Sequence, residues 1–171
     1  MTKADETPWL TDEERVAWFT LASLVTRLDT ALDTQLRRDA GVRHFDYVVL
    51  ATLSDAPERT MRMSELAALA SGSLPRLSQV VTRLEAKGWL RRTPDPTNGR
   101  YTLATLTDTG HAAVTAAAPT HVREVRRLVF DPLTKAQVQQ LTSIGQRIIH
   151  AIDPTDRCPV TPPPAAPPTD G

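Results

Sequence analysis

Apolar residues recur at three- or four-residue spacing through the first quarter of the chain, at Ala17, Leu21, Leu24, Leu28, Leu32 and Leu36. That period makes one stripe along an α-helix. "TDEE", Thr11 to Glu14, is a capping box in which Thr11 caps and Glu14 reaches back to the Thr11 amide. Gly41 supplies the stop. A helix of about 28 residues exceeds what one small domain requires and implies a partner beyond its own subunit. "HFDYVVLATLSDAP" reads as a second helix closed near Pro57. Ser64 is expected to cap a short helix, "ELAALAS", stopped at Gly72. Ser73 caps the next, with Pro75 in its first turn, where a missing N–H is harmless. "RLSQVVTRLEAK" puts Leu77, Val80, Val81 and Leu84 on one side. It leaves Arg76, Ser78, Gln79, Thr82 and Arg83 on the other, and Gly88 ends it.

"WLRRT" and "YTLATLT" read as two short strands joined by "PDPTNG", whose Asn98-Gly99 pair favours positive φ. Thr107 and Asp108 cap a fifth helix, "DTGHAAVTAAAPTHVREVRRLVF", which Pro119 is expected to kink or interrupt. Thr134 opens a sixth, striped by Val138, Leu141, Ile144, Ile148 and Ile152. The pattern predicts a mainly α fold with a small β-hairpin wing. A winged helix-turn-helix occupies about 44–107, and dimerisation helices about 11–40 and 108–152. Residues 1–10 read as a flexible N-terminus. Residues 153–171 hold seven of the 14 prolines and read as a disordered tail.

Charge sharpens this picture. The chain is formally neutral, 20 basic against 20 acidic residues. Between Arg59 and Arg100, however, eight basic residues (Arg59, Arg62, Arg76, Arg83, Lys87, Arg91, Arg92, Arg100) face three acids (Glu65, Glu85, Asp95). A local basic face on a neutral protein suits a DNA binder, and a solvated charged surface is the blander use of it. No apolar run reaches the ~18–20 residues of a membrane span. The N-terminus lacks an apolar signal core, so the expectation is a cytoplasmic protein. The single cysteine, Cys158, excludes an intramolecular disulfide framework. His44, His111, His121 and His150 lack metal-ligand spacing, so no metal is expected. No nucleophile elbow or phosphate loop is present, so neither an enzyme nor a cofactor is expected.

The run Met61 to Gly110, "MRMSELAALASGSLPRLSQVVTRLEAKGWLRRTPDPTNGRYTLATLTDTG", resembles the MarR (multiple antibiotic resistance regulator) family. The resemblance is carried by "SELA", "RLEAKGW", the "DP…GR" wing tip and "LT…G". "VRRLVFDPLTKAQVQQL" is similar to the C-terminal dimerisation region of many bacterial members. The resemblance spans Trp9 to Ile152. It implies a homodimeric transcriptional regulator, usually a repressor, binding a palindromic operator in double-stranded DNA. It also implies release by a small aromatic or phenolic ligand bound between the dimerisation and DNA-binding regions. The alternative is a winged helix kept as a protein-interaction module without operator specificity.

The candidate DNA contacts follow from these elements. Arg76, Ser78, Gln79, Thr82 and Arg83 face the major groove, with Gln79 suited to adenine and an arginine to guanine. Ser73 and its helix N-terminus suit a phosphate. Arg91 and Arg92 suit phosphates, and Arg100 the minor groove. Such wings commonly carry Asp-x-Arg, where Asn98-Gly99-Arg100 stands here, leaving Arg100 without an ionic brace. On the blander reading, Arg83 pairs with Glu85 and Arg92 with Asp95. For the ligand, Arg15, Trp18, Phe19, His44, Phe45 and Tyr47 are candidates, with Arg15 or Arg43 holding a carboxylate.

Overall fold

The structure is a computed structural model that describes residues 7–70 and 72–154. Cys158 and nearly all of the proline-rich tail lie outside the described residues. Helix α1 runs Asp12–Ala40, with the Thr11–Glu14 capping box at its start and Gly41 at φ 65° at its end. Helix α2 spans His44–Ser54. A 3-10 turn, Pro57–Arg59, leads into strand β1, Thr60–Arg62. Helix α3, Met63–Leu69, and helix α4, Leu74–Ala86, form the helix-turn-helix. Strands β2, Leu90–Pro94, and β3, Thr102–Leu106, form the hairpin. Helix α5, Asp108–Val125, continues into a π-helical turn, Arg126–Phe130, and helix α6 spans Lys135–Ile152. No described helix is long and apolar enough to cross a membrane.

The core follows the apolar pattern of the central helices. Leu36, Leu50, Leu53, Leu66, Leu77 and Leu84 are fully buried, with Val49 and Val81 between them. These residues join α1, α2, α3 and α4 in one cluster that extends to Leu90, Ala104 and Leu106 of the sheet. The apolar stripe of α1 behaves differently. Of its apolar residues only Leu32 and Leu36, near the C-terminal end, are buried. Leu21, Leu24, Trp18 and Phe19 are exposed, and no residue of α6 is buried.

Four local expectations are corrected. The hairpin is part of a three-stranded antiparallel sheet, ordered β1-β3-β2, because Thr60–Arg62 pairs with Leu103–Thr105. Helix α3 begins at Met63 with Arg62 as its N-cap, so Ser64 lies inside the first turn and caps nothing. Helix α5 runs through Pro119 without interruption, and the irregularity falls later, at the π-turn. Asn98 and Gly99 do not adopt positive φ; Glu58 and Arg59 do, at 50° and 53°. The Asn98 N–H donates to Asp95 O at 3.2 Å and closes that turn, while Glu58 and Arg59 lie in the 3-10 turn that leads into β1.

Two contacts hold α5 against the elements around it. Gly110 in α5 lies so close to the sheet that an added Cβ would sit 2.2 Å from the Trp89 carbonyl oxygen. His121 of α5 is buried, bonded through Nδ1 to Gln35 Oε1 of α1 at 3.1 Å. Its ring lies 4.5 Å from that of Tyr47 and 5.8 Å from that of His44. Burial first, and the neighbouring His44 second, hold the His121 pKa below its usual value. The unfolded chain therefore binds more protons than the folded one below about pH 6.5, and stability falls as pH drops from there.

Gly110→Ala is expected to destabilise the fold by about 1–3 kcal/mol through overpacking against backbone, measured by urea unfolding. For His121, the urea midpoint is expected to decline between about pH 7 and pH 5, above the range where carboxylates titrate. A flat profile across that window contradicts the burial argument.

Candidate nucleic-acid interface

Helix α4 is set by its ends and by one apolar face. Ser73 Oγ accepts the Arg76 amide at 3.4 Å, and Pro75 sits in the first turn. At the other end Gly88 takes φ 71°. Its N–H donates to Glu85 O, and the Trp89 N–H donates to Leu84 O, at 2.8 and 2.9 Å. This pair of bonds is a Schellman closure. Leu77, Val80, Val81 and Leu84 face the core. The 3.6-residue period then sets Pro75, Gln79, Thr82 and Ala86 on the opposite face, and all four are exposed.

The two flanks of α4 are tied down. On the α2 side, Arg83 Nη2 donates to Asp46 Oδ1 at 2.7 Å, and Asp46 is buried. The Arg83 Nε is also buried and has no partner among the described residues. The Arg76 guanidinium stacks 3.9 Å from the centroid of the Phe45 ring. On the wing side, Glu85 accepts the Arg92 backbone N–H and its Nε at 2.8 and 2.9 Å. Those bonds hold the Glu85 carboxyl below its usual pKa. Arg92 Nη2 also donates to Thr82 Oγ1 at 3.2 Å.

The blander pairings, Arg83 with Glu85 and Arg92 with Asp95, are therefore replaced by Asp46 and Glu85 respectively. Sequence neighbours lose because the folded chain brings a buried carboxylate, 37 positions away from Arg83, into better geometry. Arg91, one residue before Arg92 on β2, points to the opposite face of the sheet.

Asp95 organises the wing. It is buried, and its Oδ1 accepts both the Thr97 N–H and the Thr97 hydroxyl, at 2.9 and 2.7 Å. Its Oδ2 accepts Arg62 Nε at 2.9 Å, and Arg62 lies 4.6 Å from the Tyr101 ring centroid. The Thr97 bonds first, and Arg62 after them, lower the Asp95 pKa to about 2. The Asp95 N–H donates to Tyr101 O at 2.9 Å, which closes the loop. Asn98 Oδ1 accepts the Arg100 N–H at 3.2 Å. The missing Asp-x-Arg brace is thus offset one step back, by an Arg62–Asp95 anchor that fixes the loop rather than Arg100 itself. Sequence reasoning missed Arg62 and Asp95 as a pair, because β1 itself carries no periodic signal.

Of the eight basic residues from Arg59 to Arg100, four are ion-paired, to Asp108, Asp95, Asp46 and Glu85. Arg76 and Lys87 lie over Phe45 and Trp89. Among the described residues, the guanidinium groups of Arg91 and Arg100 engage no partner. Arg100 shares a shallow cleft of about 270 Å³ with Ser78, Leu74, Arg92 and Tyr101, so the wing tip and α4 present one surface.

A larger cavity, about 610 Å³, lies between α1, α2 and the helix-turn-helix. His44, Phe45, Arg76 and Asp29 line it, with His44 Nδ1 2.8 Å from Asp29 Oδ1. Tyr47 instead lines a separate cavity of about 220 Å³, with Trp89 and Val114. Arg15, paired with Asp12, and Trp18 and Phe19 lie two to three turns earlier on α1, exposed. Arg43 precedes α2 and is exposed. The arginine at the 610 Å³ cavity is therefore Arg76 of α4, which helical periodicity alone assigns to the solvent side. Among the described residues, no group of three His, Cys, Asp or Glu is placed to hold a metal.

A family model described as "MarR family" matches residues 45–102. The MarR family transcriptional regulator Sco3205 of Streptomyces coelicolor, solved in complex with DNA, is 42% identical. That match covers 88% of this chain and 94% of Sco3205, at a TM-score of 0.85. The uncharacterized HTH-type transcriptional regulator YdcH of Bacillus subtilis (strain 168) is 33% identical over 44% of this chain and 53% of its own length. The HTH-type transcriptional repressor IacR of Pseudomonas putida is 28% identical over 53% of this chain and 54% of its own length. The chain thus spans about half the length of the curated relatives it matches. Identity of 42% across nearly the whole of a solved MarR regulator, on the same winged architecture, places the family beyond the 58 residues of the model match: the chain belongs to the MarR family.

Proposed function

We propose that this chain is a homodimeric, cytoplasmic, sequence-specific DNA-binding regulator that represses transcription from a palindromic operator and is released by a small ligand. The observation that carries the reading is the continuous surface formed by the exposed face of α4 and the wing tip. A face of that shape enters a major groove while Arg100 reaches the adjacent minor groove. The Sco3205 structure contains DNA, which supports the same use here. The Pseudomonas putida relative is named a repressor, which supports repression.

Dimerisation is supported by the uncovered apolar residues of α1 and α6. Trp18 and Phe19 are 57% and 65% exposed, and Ile144 and Ile152 are 56% and 78% exposed. Side chains of this size at helical spacing on two helices need a cover, and a second copy supplies it symmetrically. Two readers held by such a pairing address half-sites about one duplex turn, ~34 Å, apart.

Ligand release is supported by the 610 Å³ cavity, because its walls include both α1 and the α4 residue Arg76. Arg76 and His44 suit an anionic group, and Phe45 and Val48 an aromatic ring. A ligand seated there bears on the dimerisation helix and the reader together.

Sedimentation at micromolar concentration is expected to give twice the chain mass of 18.8 kDa, and Ile148→Glu to shift it toward one. Arg100→Ala is expected to weaken operator binding and reduce the slope of log affinity against log salt by about one per subunit, about two for the dimer. An unchanged slope shows an idle wing. Asp95→Ala is expected to reduce affinity in the same direction, with hydroxyl-radical protection lost at the minor-groove flanks before it is lost at the centre.

A further inference from the structure

Bidentate reading of guanine is chiefly the work of arginine or lysine, because guanine presents two acceptors, O6 and N7, to the major groove. The outward face of α4 carries neither arginine nor lysine. Its two arginines are drawn sideways onto α2, Arg83 by Asp46 at 2.7 Å and Arg76 by the Phe45 ring at 3.9 Å. What remains in the centre is Pro75, Gln79, Thr82 and Ala86.

Thr82 is further constrained. Its hydroxyl donates to Ser78 O at 2.9 Å and accepts from Arg92 Nη2 at 3.2 Å. With its proton committed to Ser78 O, the hydroxyl has no hydrogen left to offer a guanine acceptor, and the methyl is the apolar group the side chain turns to a base. The face therefore offers one carboxamide, Gln79, flanked by three apolar groups, Pro75, the Thr82 methyl and the Ala86 methyl. A carboxamide matches the donor–acceptor pair of adenine, and apolar carbon matches the 5-methyl of thymine.

We propose that α4 reads its half-site through thymine methyl groups and one adenine, with no arginine of this helix on a guanine. The proposal rests on the DNA-binding reading above and adds the chemistry of the half-site. The basic residues then serve the frame. Arg83 and Arg92 hold the helix in place, and Arg100 and Arg91 remain for the phosphates and the minor groove.

The experiment uses the full chain throughout. A palindromic library randomised in the half-site is selected for binding, and thymines enriched opposite α4 are replaced one at a time by uracil, which removes only the methyl. The expected result is enrichment of A·T pairs at the helix positions and a loss of about fourfold per contacted methyl, the worth of one buried methyl-sized group. Thr82→Ser, which keeps the hydroxyl and removes the methyl, is expected to abolish the loss at one position. In the same complexes, any guanine opposite α4 is expected to stay open to methylation at N7 by dimethyl sulfate.

Uracil substitutions without effect overturn the proposal, as does a guanine opposite α4 protected at N7; operator binding itself survives either result. A library from which no sequence is enriched over non-specific binding overturns the operator reading, and this proposal with it.

Discussion

The ion pair between Arg83 and Asp46 sets the geometry of everything that faces outward. Asp46 is buried in α2, and its partner comes from α4 across 37 residues of chain. A buried carboxylate stripped of its cation is strongly unfavourable, so α4 does not rotate or slide on α2 while the pair stands. On the wing side, Glu85 and Arg92 form a more exposed ion pair that adds a second tether to the helix. Held on both flanks, α4 has one free face, and the residues on that face are fixed by register rather than by side-chain choice.

Helix α2 in turn is fastened to the elements around it. Tyr47 packs on His121 of α5, and His44 meets Asp29 of α1. The path from the exposed stripe of α1 to the outward face of α4 is therefore a short chain of named contacts. Phe45 is its narrowest point. It carries Arg76 on its ring and presses on the turn before α4 so closely that a Cβ at Gly72 would lie 2.5 Å from Phe45 Cζ. Phe45 also lines the 610 Å³ cavity. Any occupant that moves this ring moves the start of α4, which gives the proposed ligand response a mechanical route.

Much of the fold was legible because helices announce themselves by period and by caps. The Thr11 box, the Gly41 and Gly88 stops and the Ser73 cap are local features, decided by residues within five positions of each other. The features that escaped are those decided at a distance. Strand β1 is three residues long, too short for any alternation, and exists because β3 offers it an edge. The loop of the wing is shaped by Asp95, whose bonds to Thr97 and Arg62 make positive φ at Asn98-Gly99 unnecessary. The basic segment looked like one cationic face because sequence counts charge without counting partners. Folding pairs half of those residues with carboxylates, two of which, Asp46 and Asp108, lie outside the segment. Helical periodicity placed Arg76 and Arg83 on the polar side of α4, and only the packing of α2 shows that this side is divided between a free face and an occupied flank.

The measurement that bears most directly on this account is the structure of the full chain bound to a palindromic duplex. The account predicts two copies joined through α1 and α6, α4 in the major groove with Gln79 and Thr82 against base edges, and Arg83 still on Asp46. A complex in which α4 lies outside the groove, or in which Arg83 has left Asp46 for a base, contradicts it.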